Sequence, residues 1–76
     1  MLDYKTKLQE ITQSKMKILP ECNLVSTRRS FYDPEFIIKR LIDGKQYGKG
    51  RGKSKKEAEQ ISAKSAIYEM KKESLI

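Results

Sequence analysis

Tyr4, Leu8 and Ile11 recur at i, i+4 and i+7, a spacing that predicts an amphipathic helix over residues 3–14 with Asp3 as its N-cap. Thr6, Gln9, Glu10 and Gln13 fall on the opposite face, which is hydrogen-bonding rather than mainly charged. Pro20 ends this region, because the residue before a proline is held out of the helical conformation. The period then becomes extended. Cys-Asn-Leu-Val-Ser-Thr-Arg at 22–28 predicts a first strand, and the polar stretch 29–34, closing on Asp33-Pro34, a loop. Glu-Phe-Ile-Ile-Lys-Arg-Leu-Ile at 35–42 predicts a second strand rich in β-formers. Phe36 and Ile38 are in phase for one buried face, and Arg40 interrupts that phase. Either its aliphatic stem reaches the sheet edge or a bulge shifts the register.

Asp43-Gly44 between Ile42 and Lys45 is a hairpin signal, since a type I′ turn needs positive φ at both central positions. A third strand is expected over 45–50, with Gly48, Gly50 and Gly52 at alternate positions thinning one side of its end. Ser54 with Glu57 three residues on is a capping box, opening a last helix over about 54–72. Ala58, Ser62, Ala66 and Met70 stack along it beside Ala63, a stripe of small residues that lets a helix lie close on a sheet. The order α-β-β-β-α predicts an α+β fold: one domain over residues 1–76, a three-stranded antiparallel sheet with both helices packed on one face.

Composition sharpens this. At 76 residues the chain holds one modest core, with little to spare for an enclosed active site. Seventeen Lys and Arg against ten Asp and Glu leave a net charge of +7, which favours a polyanionic partner. There is no histidine, so the commonest general base and metal ligand are missing. The acidic residues are scattered, unlike the clustered carboxylates of a two-metal nuclease site. Cys22 is the single cysteine; it forms no internal disulfide and fits a reducing, cytoplasmic compartment. No apolar run approaches membrane-spanning length and no small-molecule site is suggested.

Three places could carry function. Gly50-Arg51-Gly52-Lys53-Ser54-Lys55-Lys56 sets four cations around a glycine-rich entry to a helix. Cations there oppose the helix dipole, so folding alone gives no reason for Lys55 and Lys56, whereas phosphate binding does. The spacing is not that of a P-loop, since Tyr47 stands where the first glycine would be. The polar face of Thr6, Gln9, Glu10 and Gln13 suits ribose 2′-hydroxyls and base edges in a shallow minor groove. The loop with Arg28, Arg29, Phe31 and Tyr32 could stack on a nucleic acid, pair with a protein, or cap the sheet end.

Asp-Tyr-Lys-Thr-x-Leu-Gln-Glu at 3–10, Pro-Glu at 20–21, Asp-Pro-Glu-Phe at 33–36 and Gly-Lys-Ser-Lys-Lys-Glu-Ala-Glu at 52–59 closely resemble the double-stranded-RNA-binding domain of bacterial ribonuclease III. The resemblance spans nearly the whole chain. It implies the same α-β-β-β-α fold, a first helix entering one minor groove through Thr6, Gln9, Glu10 and Gln13, and Lys53, Ser54, Lys55 and Lys56 gripping phosphates across the major groove. The loop between the first two strands would enter the next minor groove. Family members carry Gly-Pro-x-His there, whereas this chain reads Arg29-Ser30-Phe31-Tyr32, with Tyr32 in the histidine's place. Cys22 and Arg40 likewise stand where the family prefers an aromatic and an apolar residue.

The resemblance further implies that this is the C-terminal RNA-binding part of an endoribonuclease that processes structured RNA, ribosomal RNA included. Catalysis, its magnesium, and any homodimer contact would belong to a separate nuclease domain; this part needs no cofactor and is no enzyme alone. An alternative is a module that kept the fold for protein interaction or dimerisation, with weakened RNA binding.

Overall fold

The computed structural model describes residues 3–28, 32 and 34–75, with residues 26–28 described by their backbone. Helix α1 (Tyr4–Met16) is followed by strands β1 (Glu21–Arg28), β2 (Glu35–Ile42) and β3 (Lys45–Gly52), and by helix α2 (Lys55–Lys72). The sheet is antiparallel in the order β1-β2-β3.

α1 begins where Asp3, in an extended conformation, accepts a hydrogen bond from the Thr6 amide. It runs two residues past the expected position 14, because Met16 packs against the core one turn beyond Thr12. Thr12 is fully buried, and its hydroxyl donates back to the Leu8 carbonyl at 3.0 Å, which makes a polar side chain acceptable there. Lys17 closes the helix in the left-handed region, φ 60°, with its amide donating to the Thr12 carbonyl. Leu8, Ile42, Ala63, Ala66, Ile67 and Met70 form the core between the helices and the sheet.

Asp43 and Gly44 both have positive φ, 53° and 81°, as the hairpin turn requires. Two register shifts bend the sheet. One leaves Val25 of β1 without an opposite residue, between Leu24 and Ser26. The other does the same for Tyr47 of β3, where Arg40 faces Gly48 and Leu41 faces Gln46. Neither changes the phase of β2, whose buried positions continue through Ile38, Arg40 and Ile42.

The expected register shift does fall beside Arg40, yet Arg40 keeps the buried phase of β2. It is 2% exposed, and its guanidinium bonds to α2: Nε donates to the Ser62 hydroxyl at 3.0 Å and Nη2 to the Glu59 carbonyl at 3.0 Å. Ser62 in turn donates to that same carbonyl at 2.9 Å.

The three alternate glycines of β3 and the small stripe of α2 meet. A Cβ on Gly48 would overlap the backbone at Ser62 and Ala66, and one on Gly50 the backbone at Ser62 and Ala58. β3, which extends to Gly52 rather than residue 50, thus lies against α2 with backbone nearly touching backbone. That contact fixes how closely α2 lies on the sheet, and so where its lysines stand.

Candidate nucleic-acid interface

The start of α2 is set by Ser54, in an extended conformation, whose hydroxyl oxygen accepts from the Glu57 amide at 3.1 Å. Capping is the role this geometry gives Ser54, which satisfies one of the unpaired amides of the first turn. Lys53, Lys55 and Lys56 project around it and are all exposed. The ion pairs among the described residues are Lys5–Glu59 at 3.5 Å, Lys45–Glu73 at 2.9 Å and Arg51–Glu35 at 3.6 Å, and none involves these three lysines. Their charge is available to an outside anion without breaking an internal pair.

The polar face of α1 is equally open. Thr6, Gln9, Glu10 and Gln13 are all exposed. Thr6 differs from the rest because its hydroxyl already donates to the Asp3 carboxylate at 2.7 Å. It thus helps hold the helix start. Gln9, Glu10 and Gln13 make no side-chain hydrogen bond among the described residues, so their amide and carboxylate groups can meet hydroxyls directly.

What joins the two clusters is Gln60, a residue that no motif in the sequence marks. Its carbonyl oxygen accepts from the Tyr4 amide at 2.7 Å, and its amide nitrogen donates to the Asp3 carboxylate at 2.7 Å. A side chain of α2 thereby completes the cap of α1. The Gln60 hydrogen bond, followed by those from Thr6, holds the Asp3 carboxyl down at about 2. Asp3, Lys5, Lys55, Lys56, Glu59 and Gln60 line an open groove between the two helix starts. No local signal could have singled out Gln60, because its partners lie 56 and 57 positions away along the chain.

The loop candidates divide. Arg29 and Phe31 lie outside the described residues, as does the side chain of Arg28. Tyr32 is 94% exposed, shortly before β2. Among the described residues no group of three or more His, Cys, Asp and Glu comes together to hold a metal ion. Nor is any helix among them long and apolar enough to cross a membrane.

A family model described as the double-stranded RNA binding motif matches residues 4–70. Ribonuclease 3 of Aliarcobacter butzleri is 48% identical over 71 residues, covering 93% of this chain and 32% of that protein. Ribonuclease 3 of Campylobacter concisus is 40% identical over 70 residues, covering 92% and 31%. The chain therefore spans about a third of the length of the curated relatives it matches. Among solved structures, Dicer from Pichia stipitis shares the fold, with a TM-score of 0.72 at 20% identity over 87% of this chain and 32% of that one. The solution structure of DRB4 dsRBD2 matches with a TM-score of 0.66 at 33% identity, covering 92% of this chain and 97% of that one.

Proposed function

Since the chain belongs to the double-stranded RNA binding motif family, we propose that it binds an RNA duplex by shape, as the RNA-binding part of a ribonuclease III. The observation that carries this reading is the joining of two exposed clusters by Gln60: lysines outside the ion pairs of the described residues, and a hydrogen-bonding helix face. Lys53, Lys55 and Lys56 meet phosphates. Gln9, Glu10 and Gln13 meet 2′-hydroxyls in the adjoining minor groove, where a hydroxyl can donate to Glu10 and accept from the glutamine amides. Glu10 would repel a phosphate, so its place on this face favours the sugar edge over the backbone.

Thr6 and Ser54 act one step back, holding the helix starts in position. The loop carrying Arg29 and Tyr32 is assigned to the next minor groove, with the phenol donating where the family's histidine would. On the same reading the parent protein is a cytoplasmic endoribonuclease acting on structured RNA. Cleavage, magnesium and homodimer contacts belong to its nuclease domain, and this domain takes neither a cofactor nor a small-molecule substrate.

The test is a fluorescence-anisotropy titration with a labelled RNA duplex of about 20 bp and its DNA counterpart, at several salt concentrations. RNA should bind more tightly than DNA. Lys55→Ala and Lys56→Ala should each weaken binding alike on unrelated duplex sequences, and flatten the salt dependence by about one unit of slope per lost phosphate contact. Equal affinity for RNA and DNA, or lysine variants with an unchanged salt slope, would overturn the assignment.

A further inference from the structure

A second groove runs between the helices, lined by Tyr4, Lys7, Lys64, Ile67, Tyr68 and Lys71. It holds three ammonium groups, two phenol rings and an isoleucine, and among the described residues no carboxylate lines it. Ile67 is nearly buried and forms its floor, whereas Tyr68 is 65% exposed. The Lys64 ammonium lies 5.6 Å from the centre of the Tyr4 ring, so one wall already presents a cation over an aromatic face. None of the three lysines takes part in an ion pair among the described residues.

The groove shares no lining residue with the one that holds Lys55 and Lys56. Residues two apart on an α-helix point about 200° apart around its axis. Lys5 pairs with Glu59 and borders the groove that holds Lys55 and Lys56. Lys7, two residues on, borders this one, on the opposite flank of α1.

We propose that this groove docks an acidic peptide segment of a protein partner, with an aromatic or aliphatic side chain of that segment laid against Ile67 and Tyr68. The charge complementarity is direct: three cations, uncompensated within the groove by any described residue, line it. The apolar floor sets the class of ligand. A phosphate backbone would use the lysines and leave the exposed Tyr68 ring wet, whereas a peptide alternating carboxylates with apolar side chains satisfies both. Docking here is independent of the RNA-binding assignment, because the two surfaces share no lysine.

The experiment uses the isotope-labelled chain and a synthetic peptide of alternating glutamate and tyrosine, followed by amide chemical shifts with and without a saturating RNA duplex. Shifts should concentrate at Lys64, Ile67, Tyr68 and Lys71, and persist with the duplex bound. The double change Lys64→Glu with Lys71→Glu should weaken the peptide tenfold or more, and Tyr68→Ala should weaken it with the charges intact. Lys55→Glu should leave peptide binding unchanged while reducing duplex binding. Absence of peptide shifts would overturn the proposal. So would shifts at Lys53, Lys55 and Lys56 that the duplex removes, which would mean that the peptide occupies the phosphate site.

Discussion

Gly50→Ala isolates the contact that positions α2. Gly50 is not among the glycines with positive φ, so alanine fits its backbone conformation. On local propensity alone the change should stabilise, by roughly 0.4–1 kcal/mol, through the lower entropy of the unfolded chain. The tertiary structure reverses the sign. A Cβ at this position would overlap the Ser62 amide nitrogen and the Ala58 carbonyl oxygen, which are backbone atoms of α2 that cannot rotate away. The helix must lift from the sheet or tilt, which loosens Ala58, Ser62 and Ala66 together and strains the hydrogen bonds of Arg40. Overpacking of this kind costs about 1–3 kcal/mol, and rigid backbone puts it near the top of that range. A chain of 76 residues has only about 4–11 kcal/mol of stability in total. A loss of about 3 kcal/mol would lower Tm by roughly 12–24 °C in a domain of this size. Circular-dichroism melts of parent and variant, supported by urea titration, measure this directly. A variant that melts at or above the parent temperature would refute the reasoning, because propensity would then have outweighed the clash.

Two further outcomes follow from the cap and the buried guanidinium. The depressed pKa of Asp3, about 2 against an ordinary 3.8, means that the folded state favours the carboxylate. Its support of the α1 start is therefore fully present above about pH 4 and is lost as pH falls through about 2. An NMR titration of Asp3 should show this midpoint, and Gln60→Ala should move it back towards 3.8; an unmoved midpoint would show that Gln60 is not the main cause. Arg40→Met keeps most of the buried volume and removes a charge that takes part in no ion pair among the described residues, while Ser62 retains its bond to the Glu59 carbonyl. It should stay within about 1 kcal/mol of the parent in urea unfolding, whereas Arg40→Ala should lose about 2–4 kcal/mol by leaving a cavity. Equal losses in the two variants would show that the guanidinium hydrogen bonds, rather than the filled volume, hold that layer.

Local chemistry along the chain determines much of this protein. Period, turn and cap signals act over a few residues, so Asp3, the Asp43-Gly44 turn and Ser54 mark their elements directly. The same range makes the lysine cluster and the polar face of α1 legible as candidates, because each is a run or a helical face within one element. Tertiary structure decides what lies between elements. Arg40 breaks the hydrophobic phase of β2 by residue type, yet it stays in phase because α2 supplies acceptors that the sequence of β2 does not reveal. Thr6 has the chemistry of a ligand contact and also bonds to the Asp3 cap, a partner that becomes visible only once the helix start forms. Gln60 carries no local signal at all, yet it brings the two clusters to one side of the molecule. Residue type and spacing nominate the groups that could meet an RNA duplex. Only the packing of backbone against backbone at Gly48 and Gly50 sets how closely α2 and its lysines lie on the sheet.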